Sequence, residues 1–475
     1  MTASRAGFPL GGAITRAELA GDPHPLLARL RQHEPVSWLP ALNGWLVTRR
    51  DLALQVMRDA ATFTVDDPRF STARVVGPSM LSLDGAAHAR HRAPFAPGFS
   101  RPAVDASLGA FADAQADALV AWLRPAGAAD LRRSLAGPLA VAVVARALGL
   151  DDAEPATVLS WYLGIVGAVS ALTGQPGGDG ADRSPPGPHP PGSTSPDRSA
   201  PTSPDRSAPT GPDRSASSGN TLDGSGAALR SFPAPGSSPA SGSSPAPADA
   251  VRAGAEAFAS LSASLRSALA RNHESLLAHA ASTSALADGQ PGSSSGALTE
   301  DEVISNAAVL MFGGIETTEG MIANAVLHLL THPAQLALVR QNPSLVRSAV
   351  DESLRLEPAA AFVDRYATAD AQLGGADVRR GDLVSVSLAG AGRDPAVFSE
   401  PDTFDVRRPN AHQHLAFAHG PHFCLGVHLA RLEAAAGVRA ALTLPGLRLE
   451  PGAPSAPRGL VFRKPPELRV RWTPA

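Results

Sequence analysis

The sequence predicts a mainly α-helical fold with a minor β region. Three observations carry that prediction. Helical periodicity recurs over most of the 475 residues. One capped stretch, from Thr299 to Thr331, is long enough to cross a whole domain. Strand signals are confined to short runs near 36–48, at 371–388 and at the C-terminal end.

Taken in order, residues 24–35 read as a short amphipathic helix. Pro35-Val36-Ser37-Trp38 and Trp45-Leu46-Val47-Thr48 flank Asn43-Gly44, a dipeptide suited to the tight turn of a hairpin. A helix follows at 50–59, then a long loop from Phe63 to Leu83 with no clear period. Asp84 opens the next helix, on which His88 and Arg92 are four apart and share a face. Helical patterns continue at 101–124, 130–149, 155–172 and 251–281. Thr299-Glu300-Asp301-Glu302 is a capping box, and the helix it starts runs to Thr331, before Pro333. Short helices follow, the second carrying Asp351-Glu352-Ser353-Leu354-Arg355. Beyond Pro358 the pattern turns to strands, and short strands near 447–450, 460–463 and 468–472 close the chain.

Two segments break the pattern. Residues 174–250 are dominated by Gly, Ser, Pro and Ala and repeat the unit Ser195-Pro196-Asp197-Arg198-Ser199-Ala200-Pro201-Thr202. A second Gly/Ser-rich stretch spans 286–297. Neither has enough large apolar residues to offset the entropy of ordering, so both read as disordered insertions in a single domain spanning 1–475.

Composition narrows the function. The chain is 44% hydrophobic and 18% charged, ample for a large core. A formal net charge of −3 argues against a nucleic-acid binder. The single cysteine excludes a disulfide framework within the chain and fits a reducing compartment. Lys464 is the only lysine; the other basic residues are arginine and histidine. No long apolar N-terminal run or uninterrupted membrane segment is visible, which predicts a soluble cytoplasmic protein with no membrane partner.

The lone cysteine, Cys424, lies in Phe417-Ala418-His419-Gly420-Pro421-His422-Phe423-Cys424-Leu425-Gly426, just ahead of a helix. At such a junction free backbone N–H groups and the helix dipole favour thiolate. The long helix carries Gly313-Gly314-Ile315-Glu316-Thr317-Thr318 at its middle. Two glycines there cost about 1 kcal/mol each against alanine, which points to a local need for close approach or a kink. Glu316 and Thr317 add an acid and a hydroxyl, a pair able to pass protons. Glu352 and Arg355, at i,i+3, can pair on one helix face.

The pattern Phe-x-x-Gly-x-His-x-Cys-x-Gly resembles the haem-binding loop of the cytochrome P-450 family. The other motifs follow in the family's order over the whole chain outside the insertions. The resemblance implies the cytochrome P-450 fold, haem b as cofactor, and Cys424 as the axial thiolate on the iron. It assigns the haem propionates to His88, Arg92, Arg365 and His422. It assigns proton delivery to Glu316 and Thr317. Glu352, Arg355 and Arg408 would form a structural triad behind the cysteine loop, with Arg408 chosen over Arg407 by its spacing to Phe417.

Two positions depart from the family pattern. Ala418 stands where a glycine is usual, which is compatible if its φ stays negative. Gly392 stands where many members have asparagine.

The implied activity is monooxygenation of a hydrophobic small molecule by O2, in secondary metabolism, with electrons from a separate ferredoxin or flavodoxin and its reductase. Arg90 and Arg431 are candidate docking residues for that partner. Substrate contacts fall to the 63–83 loop, the helix around Leu310 and Gly313, Ala359 to Val363, and Leu460-Val461. The alternatives are a peroxide-using or oxidative-coupling enzyme of the same fold, and a non-enzymatic haem-thiolate sensor.

Overall fold

The computed structural model describes residues 7–173, 246–271, 275–288, 296–452 and 456–474. The 174–250 segment therefore lies outside the described residues except at its end, where Pro247 to Ala250 already belong to the helix Pro247–Arg271. The 286–297 segment is described only at its edges, and its first residues finish the helix Leu276–Asp288.

The helix Glu300–Thr331 is the axis of the fold. Its start is fixed locally. Thr299 accepts from the Glu302 amide, and the Glu302 carboxylate accepts from the Thr299 amide, so two orphan donors are satisfied reciprocally. At 1.5 Å per residue its 32 residues span roughly 48 Å. Residues on all its faces are buried, from Val303 and Ala307 to Ile322 and Leu329, as befits a helix surrounded by others. It packs against the helices Gly137–Leu148, Val346–Leu356 and Val427–Leu442.

A five-stranded sheet lies to one side, in the order Val36–Leu39, Gly44–Val47, Leu383–Ser387, Phe362–Ala367, Phe63–Thr64. Its pairs are antiparallel except Gly44–Val47 on Leu383–Ser387. The first two strands form the hairpin expected at Asn43-Gly44, with Val36 opposite Val47 and Asn43 at φ 48°. A three-stranded sheet joins Ala128–Asp130, Arg469–Arg471 and Arg448–Leu449.

Several boundaries differ from the sequence reading. The 63–83 segment is not a plain loop: it pairs at Phe63–Thr64 and forms the helix Ser71–Val76. The 251–281 helix is two helices. The 130–149 helix opens with a π-helical turn, Arg132–Ala136. Residues 460–463 form no strand; Phe462 alone among them makes an isolated bridge, to Ala360. The strand Phe362–Ala367 went unread because Asp364 and Arg365 interrupt its apolar pattern. Among the described residues one helix, Pro155–Thr173, is by itself long and apolar enough to cross a membrane. Here it packs on the helix Pro247–Arg271, with Val166 and Val169 facing an internal cavity.

Candidate active site

Cys424 sits between the 3-10 turn Gly420–His422 and the helix Val427–Leu442. Its amide donates to the Phe417 carbonyl at 2.9 Å, which folds the loop back on itself. Gly420 has φ 73°, and a Cβ there would meet the Met57 carbonyl at 2.3 Å, so only glycine fits. Ala418 has φ 58°. It does not keep a negative φ; it adopts the left-handed turn a glycine would supply.

The loop forms one wall of a cavity of about 1030 Å³ that also reaches Gly313, Glu316 and Thr317 on the long helix. Cys424 is enclosed by protein yet partly accessible, because it faces that cavity. Burial pushes its thiol up, against the Gly426 amide and the charges of Arg92 and Arg431. The helix end alone therefore does not secure the thiolate; a coordinated metal ion would.

One edge of the cavity is cationic. Arg92 and Arg365 line it, and burial lowers the pKa of both guanidinium groups. Arg92 donates to the Phe423 carbonyl and Arg365 to the Asp364 carbonyl. His88 and His422 stack with ring centroids 4.4 Å apart. His88 Nε2 is buried without a partner, and burial together with His422 and Arg92 pushes its pKa down to about 4.

His422 Nε2 lies 2.7 Å from Asp84 Oδ1. Asp84 also accepts from the Thr64 hydroxyl and the Val65 amide. Burial raises the Asp84 carboxyl, but these partners outweigh it and hold it at about 2. Because Asp84 stays ionised, His422 must donate through Nε2.

On the opposite wall the long helix is unbroken at its glycine pair. A Cβ at Gly313 would meet open space, whereas one at Gly314 would lie 2.7 Å from Val144 Cγ2. The first glycine thus leaves room in the cavity, and the second admits the neighbouring helix. The Thr317 hydroxyl donates to the Gly313 carbonyl at 2.5 Å. Glu316 lies 2.8 Å from Lys464 Nζ.

Behind the loop, Glu352 and Arg355 are fully buried. Arg355 Nε and Nη2 donate to the two Glu352 oxygens, and Arg408 Nε donates to Glu352 Oε1 at 2.9 Å. Arg407 is exposed. Gly392 has a steric reason: a Cβ there would lie 2.2 Å from the Arg355 carbonyl.

 The cytochrome P-450 family model matches residues 255–443. The cytochrome P-450 monooxygenase PikC of Streptomyces venezuelae is 30% identical over 474 residues, covering 96% of this chain and 92% of that one. The chain belongs to the cytochrome P-450 family. The 20-oxo-5-O-mycaminosyltylactone 23-monooxygenase of Streptomyces fradiae is 46% identical over 154 residues, 32% of this chain and 36% of its own. Among solved structures, CalO2 superposes with a TM-score of 0.72 at 28% identity, covering 95% of this chain and 96% of that one.

The protein is therefore a P-450 monooxygenase, an oxidoreductase, and its cofactor is haem b. The residues present fit that group. A cavity separates Cys424 from Gly313 and Thr317, and its edge carries Arg92, Arg365 and His422, with the unpartnered His88 Nε2 beside them. Cations beside a buried, unpartnered imidazole nitrogen suit a pair of propionates.

Sequence reasoning missed four contributors. Asp84 holds His422, and Lys464 holds Glu316. Asp351 pairs with Arg431 Nε at 2.9 Å, and the Arg431 guanidinium lies 4.9 Å from the Phe417 ring centroid, which ties the triad helix to the cysteine loop. Glu433 lines the cavity with Oε2 buried and unpartnered, and burial pushes its carboxyl well above the usual range. The lone lysine was the one visible signal. Arg90 and Arg431, expected to dock a partner, are engaged internally: Arg90 pairs with Glu302 and donates to the Ala297 carbonyl.

Proposed function

We propose that this P-450 oxidises a hydrophobic small molecule of secondary metabolism, taking electrons from a separate ferredoxin or flavodoxin system in the cytoplasm. The overall reaction balances as R–H + O2 + 2e⁻ + 2H⁺ → R–OH + H2O. The observation that carries the reading is the cavity: Cys424 on one side, Thr317 on the other, and a largely apolar lining between. Haem b, when bound, would supply dioxygen binding and oxygen transfer.

This chain's residues do the rest. Cys424 would hold the iron through its sulfur. Arg92, Arg365, His88 and His422 would hold the propionates, and Asp84 fixes the orientation of His422. The triad of Glu352, Arg355 and Arg408 holds the segment that leads into the cysteine loop. The Thr317 hydroxyl, when it turns from the Gly313 carbonyl, can donate into the space that Gly313 leaves open. Glu316, next in sequence, is the acid that resupplies it.

The substrate meets Val65 and Phe70, Leu310, Phe362 and Val363, and the turn at Leu460 and Val461, all of which line the cavity. The helix Pro155–Thr173 adds Val166 and Val169, a wall the sequence did not suggest. Phe423, beside Cys424, is 40% exposed, so the cysteine loop reaches the protein surface.

The test is the carbon monoxide difference spectrum of the reduced holoenzyme beside Cys424→Ser. A strongly red-shifted Soret band that the variant loses supports thiolate ligation. An unshifted band in the wild type would overturn it.

A further inference from the structure

Lys464 lies where the C-terminal segment crosses the long helix. It donates a hydrogen bond to Glu319 Oε2 at 2.6 Å, and its Nζ is 2.8 Å from Glu316 Oε1. The two acids are three residues apart and so share a helix face. Glu319 has a second cation: Arg132 Nε, from the π-helical turn, lies 2.7 Å from Oε1. Arg132 also donates to the Pro466 carbonyl, two residues beyond the lysine.

Three of these four side chains are withdrawn from water, and Arg132 is 23% exposed. The side chains of Glu319, Glu316 and Lys464 are 9%, 11% and 12% exposed. Charges so placed are weakly screened, and an unpaired one is costly. The backbone beneath Lys464 is held. Lys464 and Arg458 exchange both backbone hydrogen bonds, and the buried Arg463 donates to Glu357 and to the Gly459 and Pro457 carbonyls. A fixed turn, not a loose tail, presents the ammonium.

The arrangement is asymmetric. Glu319 touches two cations, whereas Glu316 shares one. When Glu316 leaves, Lys464 keeps Glu319 and Glu319 keeps Arg132, so no charge is stranded on that side. Glu316 is the member that can leave at least cost. It is also the member that lines the cavity, next to Thr317.

We propose that Lys464 docks Glu316 away from its proton-delivering position, and that Glu319, competing for the same ammonium, sets how readily Glu316 is released. This rests on the reading of Glu316 and Thr317 as the proton-delivering pair. Lys464, Glu319 and Arg132 are positioning residues that act through Glu316.

The signs of the effects separate this from a structural role. Lys464→Met removes the dock and frees Glu316. Arg132→Gln leaves Glu319 to hold the lysine more tightly, and frees Glu316 too. Glu319→Gln leaves the lysine to Glu316 alone and holds it back. The holoenzyme is supplied with electrons by a plant-type ferredoxin and its reductase, without added substrate, and dioxygen uptake is measured in H2O and D2O.

The solvent isotope effect is expected to fall in Lys464→Met and Arg132→Gln and to rise in Glu319→Gln. In the carbon monoxide complex of the reduced holoenzyme, the C–O stretching band gains a second component in Lys464→Met and stays single in Glu319→Gln. Isotope effects that move in the same direction in all three variants, or do not move, overturn the proposal, as does an unchanged C–O band in Lys464→Met. Glu316→Gln tells the two readings apart. If it leaves the isotope effect unchanged, the proton-delivery reading itself fails. If it alters the effect while the other three variants match wild type, only the docking inference fails.

Discussion

The Thr317 hydroxyl donates to the Gly313 carbonyl, one helical turn back, at 2.5 Å. The bond satisfies the hydroxyl inside the helix. Thr317→Val, which keeps the shape and removes the hydroxyl, is expected to lower product yield by about a hundredfold while dioxygen is still consumed and released as hydrogen peroxide. Thr317→Ser should retain most of the wild-type yield. The measurement is product and peroxide per reducing equivalent; equal yields in Thr317→Val and wild type would remove Thr317 from proton delivery.

Glu352 compensates two buried arginines. Glu352→Gln strands part of that charge and is expected to destabilise the fold by about 3–5 kcal/mol. Gly392→Ala should act through the same element, since its Cβ cannot lie 2.2 Å from the Arg355 carbonyl. Thermal unfolding of both variants checks this, and a melting temperature unchanged in either would contradict it.

Ala418 holds φ 58° at the cost of left-handed strain. Ala418→Gly relieves the strain and adds some unfolded-state entropy. The expected net gain is about 0.5–1 kcal/mol, read as a higher denaturation midpoint. A lower midpoint would mean that the Ala418 methyl group packs better than its backbone suffers.

His328 is buried in the long helix, its Nδ1 2.9 Å from Ser353 Oγ, and burial pushes its pKa down to about 3. Between the ordinary imidazole value and about 3 the unfolded chain binds a proton that the folded chain does not. Stability is therefore whole above roughly pH 6.5 and falls as pH drops toward 3, by at most about 1.4 kcal/mol per pH unit for this one proton. His328→Asn should flatten that slope. Denaturant unfolding from pH 7 to pH 4 measures it, and parallel slopes for variant and wild type would exclude His328 as the source.

The sequence by itself determined what depends on near neighbours along the chain. The capping box at Thr299 and Glu302, the Asn43-Gly44 turn, the shared face of Glu352 and Arg355, and the cysteine loop all follow from spacings of a few residues. Those spacings dictate backbone angles and helix faces directly. The family's motifs are legible for the same reason.

Only the tertiary structure decided which distant side chains meet. Asp84 and His422 are 338 residues apart in sequence, and Arg431 and Asp351 are 80 apart. Lys464 meets Glu316 and Glu319 because a buried arginine pins the turn that carries it. The left-handed Ala418 belongs to the same class, since the closure of the loop onto Phe417 overrides the residue's own preference. Local preferences are worth tenths of a kcal/mol to about one per residue, and packing a buried charge or closing a cavity wall is worth several, so tertiary contacts prevail wherever the two conflict.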